Sequence, residues 1–229
     1  MLVIPAAQPP ETGVAIILHG WGANSRDVEP LTGALRMPTL RYLIPEGRFE
    51  VPGTGGQERG WYTFPLTERS NEERLESRQE LFGILDNLGH EGTPPDKVVL
   101  MGFSQGGSMS LDVALNYHPG REPSGPENPV APGEQRVAGV ISLSGFLLDS
   151  DSLEHRGSLP AGIPVFAGHG TLDPIVPLEQ GKATIMTLAD LGFEVEWHEY
   201  TAGHHVVAEE VEDVRRFLKQ VLYGPGDVH

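Results

Sequence analysis

Four short, nearly continuous apolar runs restrict this chain more than any other feature. They are Val14–His19 (VAIILH), Val98–Phe103 (VVLMGF), Val137–Leu143 (VAGVISL) and Ile163–Ala167 (IPVFA). Each is too short for a typical helix and rich in β-branched residues, and none alternates apolar with polar. A strand of that kind must be covered on both faces, which is the situation inside a parallel sheet. Leu40–Ile44 and Glu194–Tyr200 carry more polar residues and read as strands nearer a sheet edge. Between the runs lie segments with helical periodicity: Arg26–Arg36, Asn71–Leu88, Ser104–Tyr117, Leu178–Leu191 and Ala208–Leu222. In Asn71–Leu88 the apolar face is expected to be Leu75, Leu81, Phe82, Leu85 and Leu88. In the last helix it is Val207, Val211, Val214, Leu218 and Val221. Alternation of strand and helix predicts an α/β fold, a mostly parallel central sheet with helices on both faces.

The 229 residues read as a single domain, 1–229. Residues 1–12 form an exposed N-terminal leader with one short strand at Leu2–Ile4. They have neither the basic start nor the long apolar core of a secretory signal. Residues 119–134 (PGREPSGPENPVAPGE) have no periodicity and read as a flexible insertion loop between a helix and the next strand. There is no cysteine, so disulfides, thiolate metal sites and a cysteine nucleophile are excluded. A cytoplasmic location fits that composition. The net charge of −16, from 32 acidic and 16 basic residues, repels phosphate backbones and anionic bilayers. Nucleic-acid binding and stable membrane insertion are therefore not expected; no run of 18 apolar residues is present.

Chemistry concentrates where the second strong run ends. Gly102-Phe103-Ser104-Gln105-Gly106 matches G-x-S-x-G between a strand and a helix, the context of a nucleophile elbow. Flanking glycines allow the sharp turn, and the helix N-terminus favours developing negative charge. The competing role for Ser104 is a plain helix N-cap. A serine nucleophile needs a base, and nine histidines are present. His169, His204 and His205 lie just beyond predicted strands, where functional groups collect in open α/β sheets. The order Ser, then acid, then His favours His204 in YTAGHHVV, with His205 one position on as the alternative. Asp173, in GHGTLDPIVP, is the best placed acid. Oxyanion donors are expected from the backbone N–H groups of Gln105 and of Trp21, in the early HGWG loop. A metal site built from His169, Asp173, His204 and His205 is a rival grouping of the same side chains. A catalytically inactive scaffold that binds a ligand or partner is the other alternative.

Together, ILHGWGAN, GFSQGG, SLSGF, GHGTLDPIVP and EYTAGHHV resemble the phospholipase/carboxylesterase family of α/β-hydrolases, which includes the acyl-protein thioesterases. Glutamine after the nucleophile is typical of that family. The resemblance implies Ser104, Asp173 and His204 as a triad, Trp21 and Gln105 as oxyanion donors, and no metal or cofactor. It implies hydrolysis of a small-molecule ester or acyl substrate (an ester, thioester or lysophospholipid) and is compatible with a homodimer. RGWYTF resembles the family's tryptophan-bearing segment and so puts Trp61 near the substrate. Phe64 and Leu66 in the same loop are further candidates for an apolar acyl surface. Here Tyr62 is followed by Thr63 and Phe64, where the family commonly has an aspartate.

Overall fold

A computed structural model describes residues 1–119, 136–148 and 162–224. Its strands are β1 (Leu2–Ile4), β2 (Gly13–Leu18), β3 (Leu40–Ile44), β4 (Phe49–Glu50), β5 (Arg59–Gly60), β6 (Val98–Phe103), β7 (Gly139–Leu143), β8 (Pro164–Gly170) and β9 (Glu194–Tyr200). The α-helices among the described residues are α1 (Ser25–Leu35), α2 (Glu68–His90), α3 (Gln105–Asn116), α4 (Leu178–Asp190) and α5 (Ala208–Tyr223). One 3₁₀ turn, Pro95–Lys97, leads into β6.

Seven strands form one sheet in the order β1-β3-β2-β6-β7-β8-β9. All neighbours are parallel except β1, which closes one edge antiparallel to β3, with Leu2 opposite Ile44 and Ile4 opposite Tyr42. The leader is therefore not simply exposed. Within β1, Leu2 and Ile4 pack on the core and Val3 points out, while most of the residues from Pro5 to Thr12 are exposed. β9 forms the other edge, and its outward Glu194 and charged or polar neighbours discourage pairing with another chain.

The unbroken apolar runs follow from two-sided burial. In β2, Val14, Ile16 and Leu18 point to one face, toward α2, α3 and α4, and Ala15 and Ile17 to the other, toward α1 and α5. The remaining inner strands divide in the same way. α5 carries its apolar stripe into the second face through Val214, Phe217, Leu218 and Leu222. None of the described helices is long and apolar enough to cross a membrane.

Two expectations need correction. β8 runs past Ala167 to Gly170, so His169 lies inside a strand and not beyond one. In α2 the inward face is apolar only in its second half, at Leu81, Leu85 and Leu88. Its first half buries Ser70, Glu73, Arg74 and Ser77 instead, and Leu75 is only partly covered. Most of the expected insertion 119–134 lies outside the described residues.

Candidate active site

Consecutive strands β2 and β3 run one way across the sheet, and β6 to β9 run the other. The order therefore reverses between β2 and β6, and the crevice beyond their carboxyl ends is where open α/β sheets place ligands. The GFSQGG turn follows β6, and the HGWG turn follows β2. Both sequence motifs meet at that switch point.

Ser104 sits between β6 and α3 with φ 55° and ψ −119°, a conformation that L-residues rarely adopt. Its backbone is held by Ser104 N–H donating to Leu143 O at 2.7 Å and by Ser104 O accepting from Ser108 N–H at 3.0 Å. The side chain makes no capping bond, which removes the N-cap role. Glycines on either side are required by contact, not by turn statistics alone. A Cβ on Gly102 would lie 2.2 Å from Gly106 C, and one on Gly106 would lie 2.1 Å from Leu18 O.

The hydroxyl joins a hydrogen-bonded chain. His204 Nε2 lies 2.9 Å from Ser104 Oγ, and His204 Nδ1 lies 2.7 Å from Asp173 Oδ2. With Nδ1–H donating to the carboxylate, Nε2 is the acceptor that faces the serine. Asp173 Oδ1 accepts from Ile175 N–H and Val176 N–H, both at 2.9 Å, so the acid is fixed from two sides. Burial by itself would raise the Asp173 pKa. The bonds from His204, Val176 and Ile175 outweigh that and hold the carboxyl below its usual range. The two loops are pinned to each other by main chain: Thr171 N–H to Tyr200 O at 2.8 Å and Leu172 N–H to Ala202 O at 2.9 Å. Phe103 packs on the His204 ring at 4.7 Å between centroids. His205 is exposed and stands outside this hydrogen-bonded chain.

The early loop is fixed from every side. His19 is fully buried, and its Nδ1–H donates to Gly20 O at 2.8 Å, while Gly47 N–H donates to Nε2 at 2.9 Å. Burial lowers its pKa, which keeps the ring neutral in this brace. Gly22 N–H donates to Arg59 O and Arg59 N–H to Ala23 O, each at 2.9 Å, so the β4–β5 ribbon props the loop. A Cβ on Gly20 would lie 3.5 Å from Ser104 Cβ, which puts the loop directly beside the serine. Among the described residues no backbone acceptor takes the Trp21 N–H. Gln105 is the first residue of α3, so its N–H has no intrahelical acceptor.

The expectation for Trp61 changes. It is 1% exposed and belongs to the core, and its Nε1–H donates to His19 O at 2.9 Å. Trp61 therefore supports the early loop and does not present a substrate surface. Phe64 and Leu66 are 46% and 60% exposed, as an apolar surface requires. Sequence reasoning passed over Leu172 and Ile175, which flank Asp173 and are exposed to a similar degree. Their signal was large apolar residues on both sides of a candidate acid in a turn.

The polar half of α2 holds the Trp61 segment. Trp61 O accepts from Ser77 Oγ at 2.5 Å, Thr63 N–H donates to Glu73 Oε2 at 2.7 Å, and Thr63 O accepts from Ser70 Oγ at 2.8 Å. Gln105 completes the set: its Oε1 accepts from Trp61 N–H at 2.8 Å and its Nε2 donates to Tyr62 O at 2.7 Å. An irregular buried segment needs such partners, because it has no ladder to satisfy its amides. His169, a candidate from sequence, is buried and bonds Val176 O through Nε2 at 2.9 Å, beneath the Asp173 turn. Among the described residues no group of three or more His, Asp or Glu side chains is arranged to hold a metal ion.

Known proteins resemble this chain along nearly its whole length. A family model described as phospholipase/carboxylesterase matches residues 1–222. Acyl-protein thioesterase 1 of Gibberella zeae is 29% identical over 241 residues, covering 96% of this chain and 95% of that protein. Acyl-protein thioesterase 1 of Debaryomyces hansenii is 30% identical over 80% of this chain and 77% of its own length. The crystal structure of Zea mays acyl-protein thioesterase 2 superposes with a TM-score of 0.75 at 24% identity, covering 96% of this chain and 98% of that one. The sheet, its switch point and the family match over residues 1–222 establish that this chain belongs to the phospholipase/carboxylesterase family of α/β-hydrolases.

Proposed function

We propose that the chain hydrolyses carboxylic esters and thioesters through an acyl-enzyme on Ser104. The unbroken Asp173–His204–Ser104 hydrogen-bond chain carries this reading. His204 Nε2 takes the Ser104 proton as Oγ attacks the acyl carbonyl, and Asp173 stabilises the imidazolium. The tetrahedral oxyanion is held by the Trp21 and Gln105 N–H groups, with the α3 N-terminus adding favourable potential. The imidazolium then protonates the departing alkoxide or thiolate, and the acyl-enzyme remains. Water, deprotonated by His204, attacks that ester, and collapse returns the proton to Ser104 Oγ and releases the acid. Phe64 and Leu66, with Leu172 and Ile175 beside the acid, offer apolar surface to the acyl chain. Names of the relatives point to the same bond: two are acyl-protein thioesterases, and a rice relative 28% identical over 92% of this chain is a probable carboxylesterase.

The test compares wild type with Ser104→Ala on a p-nitrophenyl ester series, matched acyl thioesters and a lysophospholipid. Loss of turnover by about 10⁴-fold or more on every cleaved substrate is expected. Turnover that survives the substitution overturns the serine mechanism. Relative kcat/KM across chain length and leaving group then identifies the preferred acyl group.

A further inference from the structure

We propose that the Gln105 side chain is a positioning residue that couples the two oxyanion donors to each other. The proposal rests on the Ser104 reading above and adds a role that a main-chain donor does not require.

The carboxamide is buried, with 4% of the residue exposed. Its oxygen accepts from Trp61 N–H at 2.8 Å and its nitrogen donates to Tyr62 O at 2.7 Å. One peptide segment is thus gripped by a group that must donate and accept at once. Glutamine does both without ionising, whereas an ionised glutamate only accepts and a methionine sulfur is at most a weak acceptor. The gripped segment passes the constraint on. Trp61 Nε1–H bonds His19 O at 2.9 Å, and His19 is the residue from which the Gly20–Trp21 turn departs. A second route runs through Gly60. A Cβ there would lie 2.0 Å from Trp21 Cε3 and 3.1 Å from Gln105 Oε1, so the Trp21 ring packs directly on Gly60 with the carboxamide oxygen close beside it. Main chain and side chain of one residue therefore act on the same oxyanion: the Gln105 N–H directly, its carboxamide by fixing where Trp21 sits. Two donors held in register before substrate arrives need no reorganisation as charge develops.

Gln105→Glu and Trp61→Phe each break the chain at one point. The first, assayed at a pH where the new carboxyl is ionised, removes the donor to Tyr62 O, and the second removes the indole donor to His19 O while keeping an aromatic ring. With a p-nitrophenyl ester, both are expected to lower kcat by about 10- to 100-fold, below the full loss of an oxyanion donor. KM should stay within about threefold. Binding of an alkyl trifluoromethyl ketone, whose adduct carries the oxyanion, should weaken by the same factor as kcat/KM. The double variant should be no worse than Gln105→Glu alone, because the carboxamide stands at the head of both routes and the indole lies on one of them. Should Gln105→Glu fail to fold, Trp61→Phe alone decides. Unchanged kcat, a loss confined to KM, ketone affinity that does not follow kcat/KM, or multiplying effects in the double variant would each overturn the coupling. Ser104→Ala measured alongside separates the two readings. Residual turnover there refutes the serine mechanism, whereas an inactive Ser104→Ala with fully active Gln105→Glu and Trp61→Phe refutes only the coupling.

Discussion

Gly106→Ala adds a single methyl at the second residue of α3, and the structure sets how much damage it should do. The new Cβ would lie 2.1 Å from Leu18 O and 2.6 Å from His19 O. Both atoms are main chain at the end of a central strand and have no rotamer to move into. Ordinary contact begins at 3.4 Å, so the start of α3 and the end of β2 must separate by about 1.3 Å. That displacement carries Ser104 and Gln105 away from the Gly20–Trp21 turn. An error of about 1 Å in a reacting group costs roughly 10²-fold, or about 2.7 kcal/mol of transition-state stabilisation. Overpacking should remove a further 1–3 kcal/mol or so of folding stability.

The assay is paired initial rates and urea unfolding on wild type, Gly106→Ala and Gly83→Ala. Gly83 lies within α2 with no atom within 4 Å of a built Cβ. Alanine there should stabilise by about 0.5–1 kcal/mol through lost unfolded-state entropy and leave kcat alone. The same substitution in two helices is thus expected to act with opposite sign. A folded Gly106→Ala enzyme with kcat within threefold of wild type would refute the claim that this close approach sets the serine's position.

Three further outcomes follow from the same geometry. His204→Ala should abolish turnover, while exposed His205→Ala should change kcat little and stability by less than about 0.5 kcal/mol in urea unfolding. Asp173→Asn should lower kcat by about 10⁴-fold, read from steady-state kinetics, because the amide cannot hold the Nδ1–H tautomer as the carboxylate does. The pKa of Asp173 is depressed in the fold, so its stabilisation is present above roughly pH 4 and is lost as pH falls through the folded value. The stability gap between wild type and Asp173→Asn should close in strong acid. Glu210 behaves in the opposite way. Burial chiefly, with Asp213 adding and the Val207 N–H opposing, raises its carboxyl to about 7. The folded state then holds the proton more tightly than the unfolded one, so wild-type stability should decline as pH rises from the ordinary carboxylate range to about 7. Glu210→Gln should flatten that slope and gain on the order of 2 kcal/mol at pH 8 by chemical denaturation. Equal slopes in wild type and variant would remove Glu210 as its cause.

Strands and candidate catalytic side chains were legible in the sequence for one physical reason. Each rests on local pattern: an unbroken apolar run is a two-faced strand, and a polar residue just past it lies at the sheet's carboxyl edge. Ser104 and Asp173 are of that kind, whereas His204 follows the more polar β9 and was favoured by chain order; the structure brings the three side chains into one hydrogen-bonded chain. Legibility ended where burial depends on a distant segment. Trp61 in a glycine-rich loop looks exposed, yet it is core, because Ser77, Gln105 and the His19 carbonyl satisfy its polar groups. No periodicity in Glu68–His90 announces that Ser70, Glu73 and Ser77 face inward. Their partners are the amides of a segment that is neither helix nor strand. His19 was hidden similarly: its role depends on Gly47, 28 residues away.

These concealed contacts share a purpose that the catalytic motifs alone do not reveal. A serine, a histidine and an acid at the ends of three different strands could be assembled on loops that drift relative to one another. Here each loop is tied to a neighbour through buried groups. The 171–172 backbone bonds the Tyr200–Ala202 segment, the 19–23 turn bonds Gly47 and Arg59, and α2 and Gln105 grip residues 61–63. Ser104 meanwhile holds a backbone conformation costing on the order of 1–3 kcal/mol, which persists only where the surroundings over-determine it. The polar half of α2 gives up apolar burial in the same way, exchanging core contacts for partners to main-chain amides. A chain built only for stability would put leucine at Ser70, Glu73 and Ser77. Keeping hydroxyls and a carboxylate there is understandable if the 61–63 segment must hold one position, because Trp61 within it bonds His19 O and Gly60 just before it packs on the Trp21 ring.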